Sequence, residues 1–418
     1  MNLADLLKKS LDSDRLDLIH RIADESSALG FQIYLVGGSV RDLLLARPIG
    51  DLDLTVEGDA TKLGRALVKK HHGELTIHDK FFTATWTPDS SNSHPLDLTS
   101  ARKETYSRPG ALPTVTRSTL DDDLRRRDFT INAMAIRMDG NDFGELHDPL
   151  HGQKDLESKL IRALHPKSFV DDPTRIFRAV RYAERYGFII EPESLNLIND
   201  ESRRVLGELS GERLRHEFDM IFDESDPSTI LKQLADLNVL EPIHGALSTV
   251  NHWLPKIEDP SPNFGEFAIP DILSFRQTLG WTLYLAYSTN VDIESLSERL
   301  DFPALLTNAV ISASALKKDL PSFKDWKPSQ WTFHLDDLPS LAVYAVYLIS
   351  KESALHDYLA KWQYVRPATT GDDLKARGLE PGPRYGEILR RLRAAWLDEE
   401  VKNEEEENSL LNRCLLEF

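Results

Sequence analysis

The chain has 418 residues, more than one typical domain holds, so two to four modules are expected. Hydrophobic residues make up 41% and charged residues 28%, as in an ordinary globular protein, and the single cysteine, Cys414, excludes a disulfide framework and a cysteine zinc site. The net charge of −18 argues against a broad, non-specific nucleic-acid binder. Arginines cluster at 125–127 and 175–185, however, and allow a local basic groove.

The N-terminal residues predict an amphipathic helix rather than a signal peptide. We expect residues 1–30 to be helical and to end at Gly30, a favourable C-cap. No apolar stretch approaches the length of a membrane span, and a single cysteine fits a reducing cytosol. A cytoplasmic protein without a membrane association is therefore expected.

Residues 34–57, which read YLVGGSVRDLLLARPIGDLDLTVE, contain the most informative pattern in the chain. A predicted strand ends at two glycines, Gly37 and Gly38, and these open a predicted helix that carries Arg41 and Asp42. Such glycines let backbone N–H groups approach a triphosphate, with a helix N-terminus behind them. The pattern favours phosphate binding, although an isolated Gly-Gly is usually a turn.

A second strand follows, and in it Asp51 and Asp53 flank Leu52. Residues two apart on a strand project to the same face, so we expect the two carboxylates to lie side by side. They repel each other unless a cation lies between them, and hard oxygen ligands of this kind suit Mg²⁺. A single Asp-x-Asp is more often a solvated strand end, but together with the glycine turn it indicates metal-dependent phosphoryl or nucleotidyl transfer.

The two motifs together, in the form GGxVRDxLL…DxD, resemble the polymerase-beta-like nucleotidyltransferase superfamily. Within it, they resemble the class II branch of tRNA CCA-adding enzymes and bacterial poly(A) polymerases. The resemblance implies an α+β fold, with a nucleotidyltransferase head of mixed sheet and helices, followed by all-α neck, body and tail domains. It also implies that Asp51 and Asp53 bind Mg²⁺ and that Gly38 and Arg41 hold the nucleotide.

A helix over 59–70 is predicted next, followed by short strands at 74–77, 81–86 and 95–98. Asp97 lies on the last of these strands. It is a candidate third carboxylate near the metals, and the alternative is an ordinary strand-end residue.

Residues 100–120, SARKETYSRPGALPTVTRSTL, lack periodicity and predict a long loop. Long structureless loops inside compact domains tend to be functional. The cations Arg102, Lys103 and Arg108 either contact RNA or triphosphate, or belong to a solvated loop.

The stretch DDDLRRRDFTINAMAI places Arg127, Asp128 and Asn132 just before a predicted strand at 133–136. Asp128 and Asn132 are four residues apart and would share a helix face. We expect Asp128 to hold Arg127 in place and Asn132 to contact sugar or phosphate. The residues match the RRDFTINA motif of the class II nucleotidyltransferases, and this resemblance implies that Arg127 contacts the incoming nucleotide.

The stretch FVDDPTRIFRAVRYAERYGF has the chemistry of a helix start. Asp171 or Asp172 can cap the helix, Pro173 lies in its first turn, and Gly187 closes it. Arginines at steps of three form a slanting ridge on this helix, at Arg175, Arg178 and Arg181.

Asp172 and Arg175 form either an ordinary intrahelical ion pair or a base-recognition pair. A carboxylate accepts from an exocyclic amine, and a guanidinium donates to a ring nitrogen or carbonyl oxygen, which suits cytosine and adenine but not uracil or guanine. The stretch resembles the amino-acid template of the same family, usually EDxxR, with Asp171 in place of Glu. The resemblance implies that Asp172 and Arg175 select the base while Arg178 and Arg181 position the nucleotide.

The C-terminal half is predicted to be helical. SGERLRHEFDMIF, with Arg213 and Arg215, resembles the family's next motif and is expected to brace the template helix through salt bridges. The tryptophans at 253, 281, 326 and 331 are expected in cores.

The C-terminal stretch DDLKARGLEPGPRYGEILRRLRAAWL predicts two helices around a Pro-Gly-Pro turn. These helices either present amides and arginines to a phosphate backbone or form an ordinary helical hairpin. The stretch resembles the tail of long bacterial CCA-adding enzymes.

We therefore expect four domains: a head over 1–160, a base-selecting neck over 161–241, a body over 242–365 and a tRNA-binding tail over 366–418. The implied reaction is addition of CMP and AMP, from CTP and ATP, to the tRNA 3′ end by a two-metal mechanism without a nucleic-acid template. Alternatives are a CC-only or A-only enzyme, which would share every named residue, a poly(A) polymerase, and a non-catalytic RNA-binding regulator. No protein partner is predicted.

Overall fold

The structure is a computed structural model, and the residues it describes are 1–50, 52–89, 95–248, 252, 254–257, 264–288 and 292–417. The chain divides into two compact units, Met1–Leu209 and Ser210–Phe418. The division into four domains stays a prediction. Among the described residues, no helix is both long and apolar enough to cross a membrane.

The first unit combines helices with strands. Its helices are α1 (Ala4–Ser10), α2 (Ser13–Ala28), α3 (Gly38–Leu44), α4 (Ala60–His71), α5 (Leu120–Arg125), α6 (Gly152–Glu157), α7 (Ser168–Asp171), α8 (Thr174–Tyr186), α9 (Pro192–Leu195) and α10 (Asp200–Gly207). Its strands are β1 (Gln32–Val36), β2 (Asp53–Glu57), β3 (Glu74–His78), β4 (Thr83–Thr87), β5 (Leu96–Ser100), β6 (Arg102–Thr105), β7 (Thr114–Arg117), β8 (Ala135–Arg137), β9 (Leu146–His147), β10 (Leu160–Ile161) and β11 (Ile189–Ile190).

Strands of the first unit form a mixed sheet, as the α+β prediction required. Within the described residues its order is β3-β4-β5-β2-β1-β8-β9. β2 runs parallel to β5, and the other neighbouring strands pair antiparallel. Apolar side chains such as Ile33, Trp86 and Leu98 are fully buried against this sheet. The register sets the end of β1 beside the starts of β2 and β8, where the polar motifs lie.

The N-terminal segment is helical, as predicted, and consists of two helices. α1 ends at Ser10, and Asp12 then caps α2, because its carboxylate accepts the N–H of Arg15 at 2.8 Å. Gly30 follows α2 with a φ of +74°, so the predicted stop is confirmed.

The prediction of a structureless loop over 100–120 is wrong. β6 and β7 form an antiparallel hairpin in which Arg102 faces Arg117 and Thr105 faces Thr114. At the tip, the N–H of Gly110 lies 3.2 Å from two carbonyl oxygens at the end of α7. The strands are short and largely polar, so they show no alternation of apolar and polar residues, and the strand pairing and the tip contacts decide the structure.

The second unit is helical where it is described. Its helices are α11 (Gly211–Phe222), α12 (Pro227–Asp236), α13 (Phe275–Ala286), α14 (Ile293–Arg299), α15 (Ala304–Asp319), α16 (Pro328–Leu335), α17 (Ser340–Ser350), α18 (Ser353–Ala360), α19 (Gly371–Ala376), α20 (Pro383–Leu397) and α21 (Glu404–Glu417). Trp281 and Trp331 are buried as expected, whereas Trp326 is only half-buried and Trp253 lies outside the described residues. Arg215 contacts Asp219 and Asp301 within this unit, so bracing of the template helix stays a prediction.

The last three helices share a hydrophobic core of their own. It contains Leu374 from α19, Ile388 and Leu392 from α20, and Leu411 and Cys414 from α21. The predicted helix–turn–helix around the Pro-Gly-Pro sequence is confirmed, with α20 starting at its second proline.

Candidate active site

Two exposed carboxylates lie on neighbouring strands of the sheet. Asp53 starts β2 and is the Cα partner of Asp97 on parallel β5, so both side chains project from the same face. An oxygen of Asp97 accepts a 2.6 Å hydrogen bond from the Thr85 hydroxyl on β4. Leu52 is buried, as predicted, while Asp51 lies outside the described residues. The first carboxylate of the predicted pair is therefore known only from the sequence.

The glycine turn lies beside Asp53. The N–H of Asp53 makes a long hydrogen bond, 3.5 Å, to the hydroxyl of Ser39 in the first turn of α3. Gly37 has a φ of +69°, in the region that favours glycine, and its N–H donates to the carbonyl of Met134 at 3.2 Å. The strand register thus brings the start of the acidic strand to the N-terminus of α3.

Arg41 is buried at the centre of a polar network. Its guanidinium donates to Oδ1 of Asn132 at 2.6 Å and to both carboxylate oxygens of Asp42 at 3.0 Å. Burial lowers the pKa of Arg41, but the hydrogen bond to Asp42 and the charge interactions with Asp42, Tyr182 and Tyr186 together outweigh that effect, so the net shift is upward. The Tyr182 and Tyr186 rings lie 5.3 and 4.7 Å from its guanidinium carbon, in cation–π contact.

Sequence reasoning missed these two tyrosines. They follow Arg178 at successive steps of four on α8, which places all three on one helix face, and that spacing could have revealed them. Their rings bring α8 against α3, so the arginine helix and the glycine turn lie in one site.

Arg127 lies against the glycine turn, as its predicted role requires. A Cβ added at Gly37 would stand 2.4 Å from Nη1 of Arg127, so a side chain at this position would displace the guanidinium from its present place. Its Nη2 donates to Asp123 at 3.1 Å, and its buried Nε–H has no hydrogen-bond partner within the described part of the chain. Gly38 is also close to a guanidinium, because its added Cβ would lie 3.4 Å from Nη2 of Arg41.

The expected pairing of Asp128 with Arg127 is wrong. Asp128 accepts hydrogen bonds from Nε and Nη2 of Arg178 at 2.8 and 2.6 Å, and from the Asn132 amide at 2.9 Å. Burial raises the pKa of Asp128, but the Arg178 charge and the hydrogen bonds from Asn132, Arg178 and the Phe129 N–H together outweigh that effect, so the pKa lies below its usual value. Asp128 and Asn132 meet although they do not share an α-helix, because Asn132 ends a short 3₁₀ turn that starts at Thr130. Together with Arg41 they connect α8 to α3.

The start of α8 follows the prediction in part: the N-cap residue is Pro173 rather than an aspartate, and Asp172 lies one position before it. Asp172 accepts hydrogen bonds from the N–H and hydroxyl of Thr174 at 3.2 and 2.7 Å, Pro173 precedes the helix, and Gly187 ends it with a φ of +65°. Arg175 is buried and donates to the Ser168 hydroxyl at 2.8 Å.

The three arginines of the ridge on α8 differ in their contacts and in their exposure. Arg175 donates to the carbonyl of Arg126 at 2.9 Å, Arg178 is more than a third exposed while bound to Asp128, and Arg181 is buried. Arg175 therefore contacts the segment that carries Arg127, which places the base-selection candidates next to the triphosphate candidates. Within the described ranges, which leave out Asp51, no group of three or more Asp, Glu, His or Cys side chains could hold a metal ion.

The second unit carries an arginine-lined cavity of about 490 Å³. Its lining residues are Phe333, Arg366, Pro367, Thr369, Thr370, Leu389, Arg390 and Arg393. Arg390 is exposed with its guanidinium carbon 4.4 Å from the centre of the Phe333 ring, whereas Arg393 is bound to Asp336. Of the arginines in the predicted tail motif, Arg391 is paired with Glu400 at 2.7 Å.

Two family models match the chain. The Poly A polymerase head domain matches residues 33–162, and the probable RNA and SrmB-binding site of polymerase A matches residues 187–248. An A-adding tRNA nucleotidyltransferase from Halalkalibacterium halodurans is 34% identical over 398 residues, covering 93% of this chain and 90% of the relative. A protein of the same name from Geobacter sulfurreducens is 32% identical over 96% of this chain, which spans about half (47%) of that longer relative.

Solved structures of CCA-adding enzymes are similar to this chain over its whole length. A CCA-adding enzyme in its apo form II superposes with a TM-score of 0.83 at 27% identity, covering 100% of this chain and 99% of that one. The Thermotoga maritima CCA-adding enzyme complexed with tRNA gives a TM-score of 0.76 at 27% identity, covering 100% and 98%. This chain therefore belongs to the family of tRNA nucleotidyltransferases and CCA-adding enzymes with a Poly A polymerase head domain.

Proposed function

We propose that this chain transfers AMP from ATP to the 3′ end of tRNA. The observation that carries the proposal is the meeting, in one compact unit, of exposed Asp53, the glycine turn, buried Arg41 and half-buried Arg127. In the reaction, the 3′-hydroxyl oxygen of the RNA forms a bond to the α-phosphorus. The bond from that phosphorus to the bridging oxygen breaks, and pyrophosphate leaves.

Asp53 and Asp51 are the proposed ligands of the divalent metal, Mg²⁺, in a two-metal site. Oxygen donors suit this ion, and the exposed position of Asp53 beside Asp97 leaves room for its hydration shell. Asp97 is a candidate third ligand on the next strand. When bound, the metal lowers the pKa of the attacking hydroxyl and neutralises charge that develops on the leaving pyrophosphate.

Arginines and backbone amides are proposed to bind the nucleotide. Gly38 leaves the N-terminus of α3 open to the phosphates, and Arg127 and Arg41 supply positive charge on either side of it. Asp172 and Arg175 select the base by hydrogen-bond polarity, and Arg178 and Arg181 hold the nucleotide against α8. The residues that select the base and those that bind the phosphates are linked through the hydrogen bond from Arg175 to the carbonyl of Arg126.

Addition of both CMP and AMP is the second candidate. The hydrogen-bond polarity of the Asp172–Arg175 pair suits cytosine as well as adenine, and the fold resembles CCA-adding enzymes over the whole chain. AMP addition alone is placed first because the relative that matches 93% of the chain is named an A-adding enzyme.

Purified protein assayed with three tRNA acceptors decides between these candidates. The acceptors end before CCA, after the first C, and after CC, and each is offered the four nucleoside triphosphates separately. We expect ATP incorporation on the CC-ended acceptor, with CTP incorporation on the shorter acceptors only if the second candidate holds. Extension of poly(A) but not of any tRNA would contradict both.

We further propose that the tail over 366–418 contacts the tRNA phosphate backbone, the neck over 161–241 selects the base, and the head over 1–160 carries the metals. For the tail, the proposal is supported by the exposed residues Arg366 and Arg390 at the arginine-lined cavity, where Nη1 of Arg366 also donates to backbone carbonyls of the same segment. Guanidinium groups suit phosphate oxygens, and an aromatic ring beside them suits a base.

Replacing both Arg366 and Arg390 with alanine is expected to weaken tRNA binding without changing the KM for ATP. Each lost phosphate contact should reduce the slope of log K against log salt concentration by about 0.7–0.9. Binding measured across a salt series tests this. Arg391→Ala is the matched control, because that arginine is on the same helix but pairs with Glu400. An unchanged salt slope in the double variant would remove this surface from the tRNA interface.

A further inference from the structure

Asp123 is a fully buried carboxylate that binds two arginines. Its Oδ1 accepts from Nε and Nη2 of Arg126, both at 2.9 Å, and its Oδ2 accepts from Nη2 of Arg127 at 3.1 Å. The N–H of Arg102, at the start of the β6–β7 hairpin, approaches Oδ1 at 3.3 Å. Burial raises the pKa of Asp123, but the two arginine charges outweigh that effect and hold the pKa below its usual value. The group is therefore an anion with fixed partners.

The local sequence makes this arrangement possible. Asp123 lies in α5, and the two arginines follow at i+3 and i+4, so both side chains can return to the same carboxylate. The two arginines are not equivalent, however. Arg126 has a second acidic partner, because its Nη1 donates to Glu104 of the hairpin at 2.9 Å. Within the described residues, Asp123 is the one acidic partner of Arg127.

The Arg127 guanidinium is held at one end and fills an open space at the other. Asp123 holds Nη2, and the absence of a side chain at Gly37 leaves the space that Nη1 fills. The buried Nε–H lacks a hydrogen-bond partner in the described part of the protein. The guanidinium is therefore anchored at one end only, next to the N-terminus of α3.

We propose that Asp123 is a positioning residue for nucleotide binding: it orients Arg127 toward the triphosphate without touching the substrate. The proposal rests on the function proposed for Arg127. A carboxylate that served only to stabilise the fold would be sufficiently paired by Arg126. The second arginine, held next to Gly37, is what connects Asp123 to the nucleotide.

The first test replaces Asp123 with asparagine, which keeps the shape and removes the charge. We expect the KM for ATP to rise roughly tenfold to a hundredfold, the range that loss of a charge-assisted hydrogen bond produces. The KM for tRNA and kcat at saturating ATP should change less than about twofold. The contact of Arg127 with the triphosphate already exists in the ground state, so its loss weakens ATP binding rather than the chemical step. Asp121→Asn is the matched control on the same helix, because its carboxylate is exposed and pairs with His147.

A mutant cycle separates this proposal from the one it rests on. If Arg127→Ala alone leaves the KM for ATP unchanged, the role of Arg127 is wrong. If Arg127→Ala raises the KM, adding Asp123→Asn should raise it no further, because the carboxylate acts through that arginine. Full additivity in the double variant, or an unchanged KM in Asp123→Asn, would overturn the proposal for Asp123 alone.

Separate control experiments show whether the Asp123 variants remain folded. Asp123→Glu keeps the charge, so it should restore part of the ATP affinity that Asp123→Asn loses. Thermal unfolding of each variant, followed by circular dichroism, identifies the assay temperature at which all remain folded. If Asp123→Asn is unfolded at every temperature, the same comparison is made with Asp123→Glu, whose longer side chain shifts Arg127. An unchanged KM for ATP in that folded variant would then contradict the positioning role.

Discussion

Replacing Asp53 with alanine is expected to abolish nucleotide incorporation while leaving tRNA affinity within about twofold of the wild-type value. Removing a ligand of the catalytic metal takes away charge stabilisation that acts on the hydroxyl and on the leaving pyrophosphate, so a loss of at least roughly a thousandfold is expected. Asp53 is exposed at the start of β2, and a surface substitution of this kind should change the free energy of unfolding by less than about 0.5 kcal/mol. Single-turnover incorporation and tRNA binding measure the two effects separately.

The control for Asp53 is another acid at a strand start. Glu74 begins β3 at the edge of the same sheet and is also exposed, so Glu74→Ala should retain full incorporation. Asp97→Ala tests the third carboxylate in the same assay: a metal ligand would give a large loss, and an ordinary strand-end residue almost none. Incorporation by Asp53→Ala at a tenth or more of the wild-type rate would show that the metal assignment is wrong.

Asparagine in place of Asp172 is expected to relax the choice of base. The carboxylate accepts from the exocyclic amine of adenine, whereas an amide can also donate to the carbonyl that guanine and uracil present. The preference for ATP over GTP should fall by about 1–3 kcal/mol, or roughly fivefold to 150-fold in the ratio of kcat/KM. Competition between the two nucleotides on one tRNA acceptor measures that ratio directly.

The structure makes Asp172→Asn a sharper experiment than a change at Arg175. Asp172 accepts hydrogen bonds from the N–H and the hydroxyl of Thr174 through Oδ1, and the amide oxygen of asparagine can accept both, so the start of α8 should be retained. Arg175 is buried and donates hydrogen bonds to the Ser168 hydroxyl and to the Arg126 carbonyl. Its removal would take the guanidinium donor away from both oxygens. Asp171→Asn is the neighbouring control. Unchanged base preference in Asp172→Asn would remove the carboxylate from base selection.

Much of the architecture followed from local patterns. The helix stops at Gly30 and Gly187 depend on a few consecutive residues, and both lie where the sequence predicted them. The hairpin at 102–117 was missed because its strands are short and polar and its stability comes from pairing and from the contact of its tip with α7. Local propensity contains no information on either contact.

The sequence by itself determined which residue types meet: glycines at a strand end, an acidic strand start, and arginines at the end of α5 and along α8. Only the tertiary structure decided which acid holds which arginine. Asp123 and Asp128 lie close to the same arginines along the chain, yet Asp123 binds Arg127 while Asp128 binds Arg178, fifty residues away. The physical reason is burial, because each buried carboxylate needs a cation within hydrogen-bonding distance, and the folding of α8 onto the sheet domain sets which cation is there.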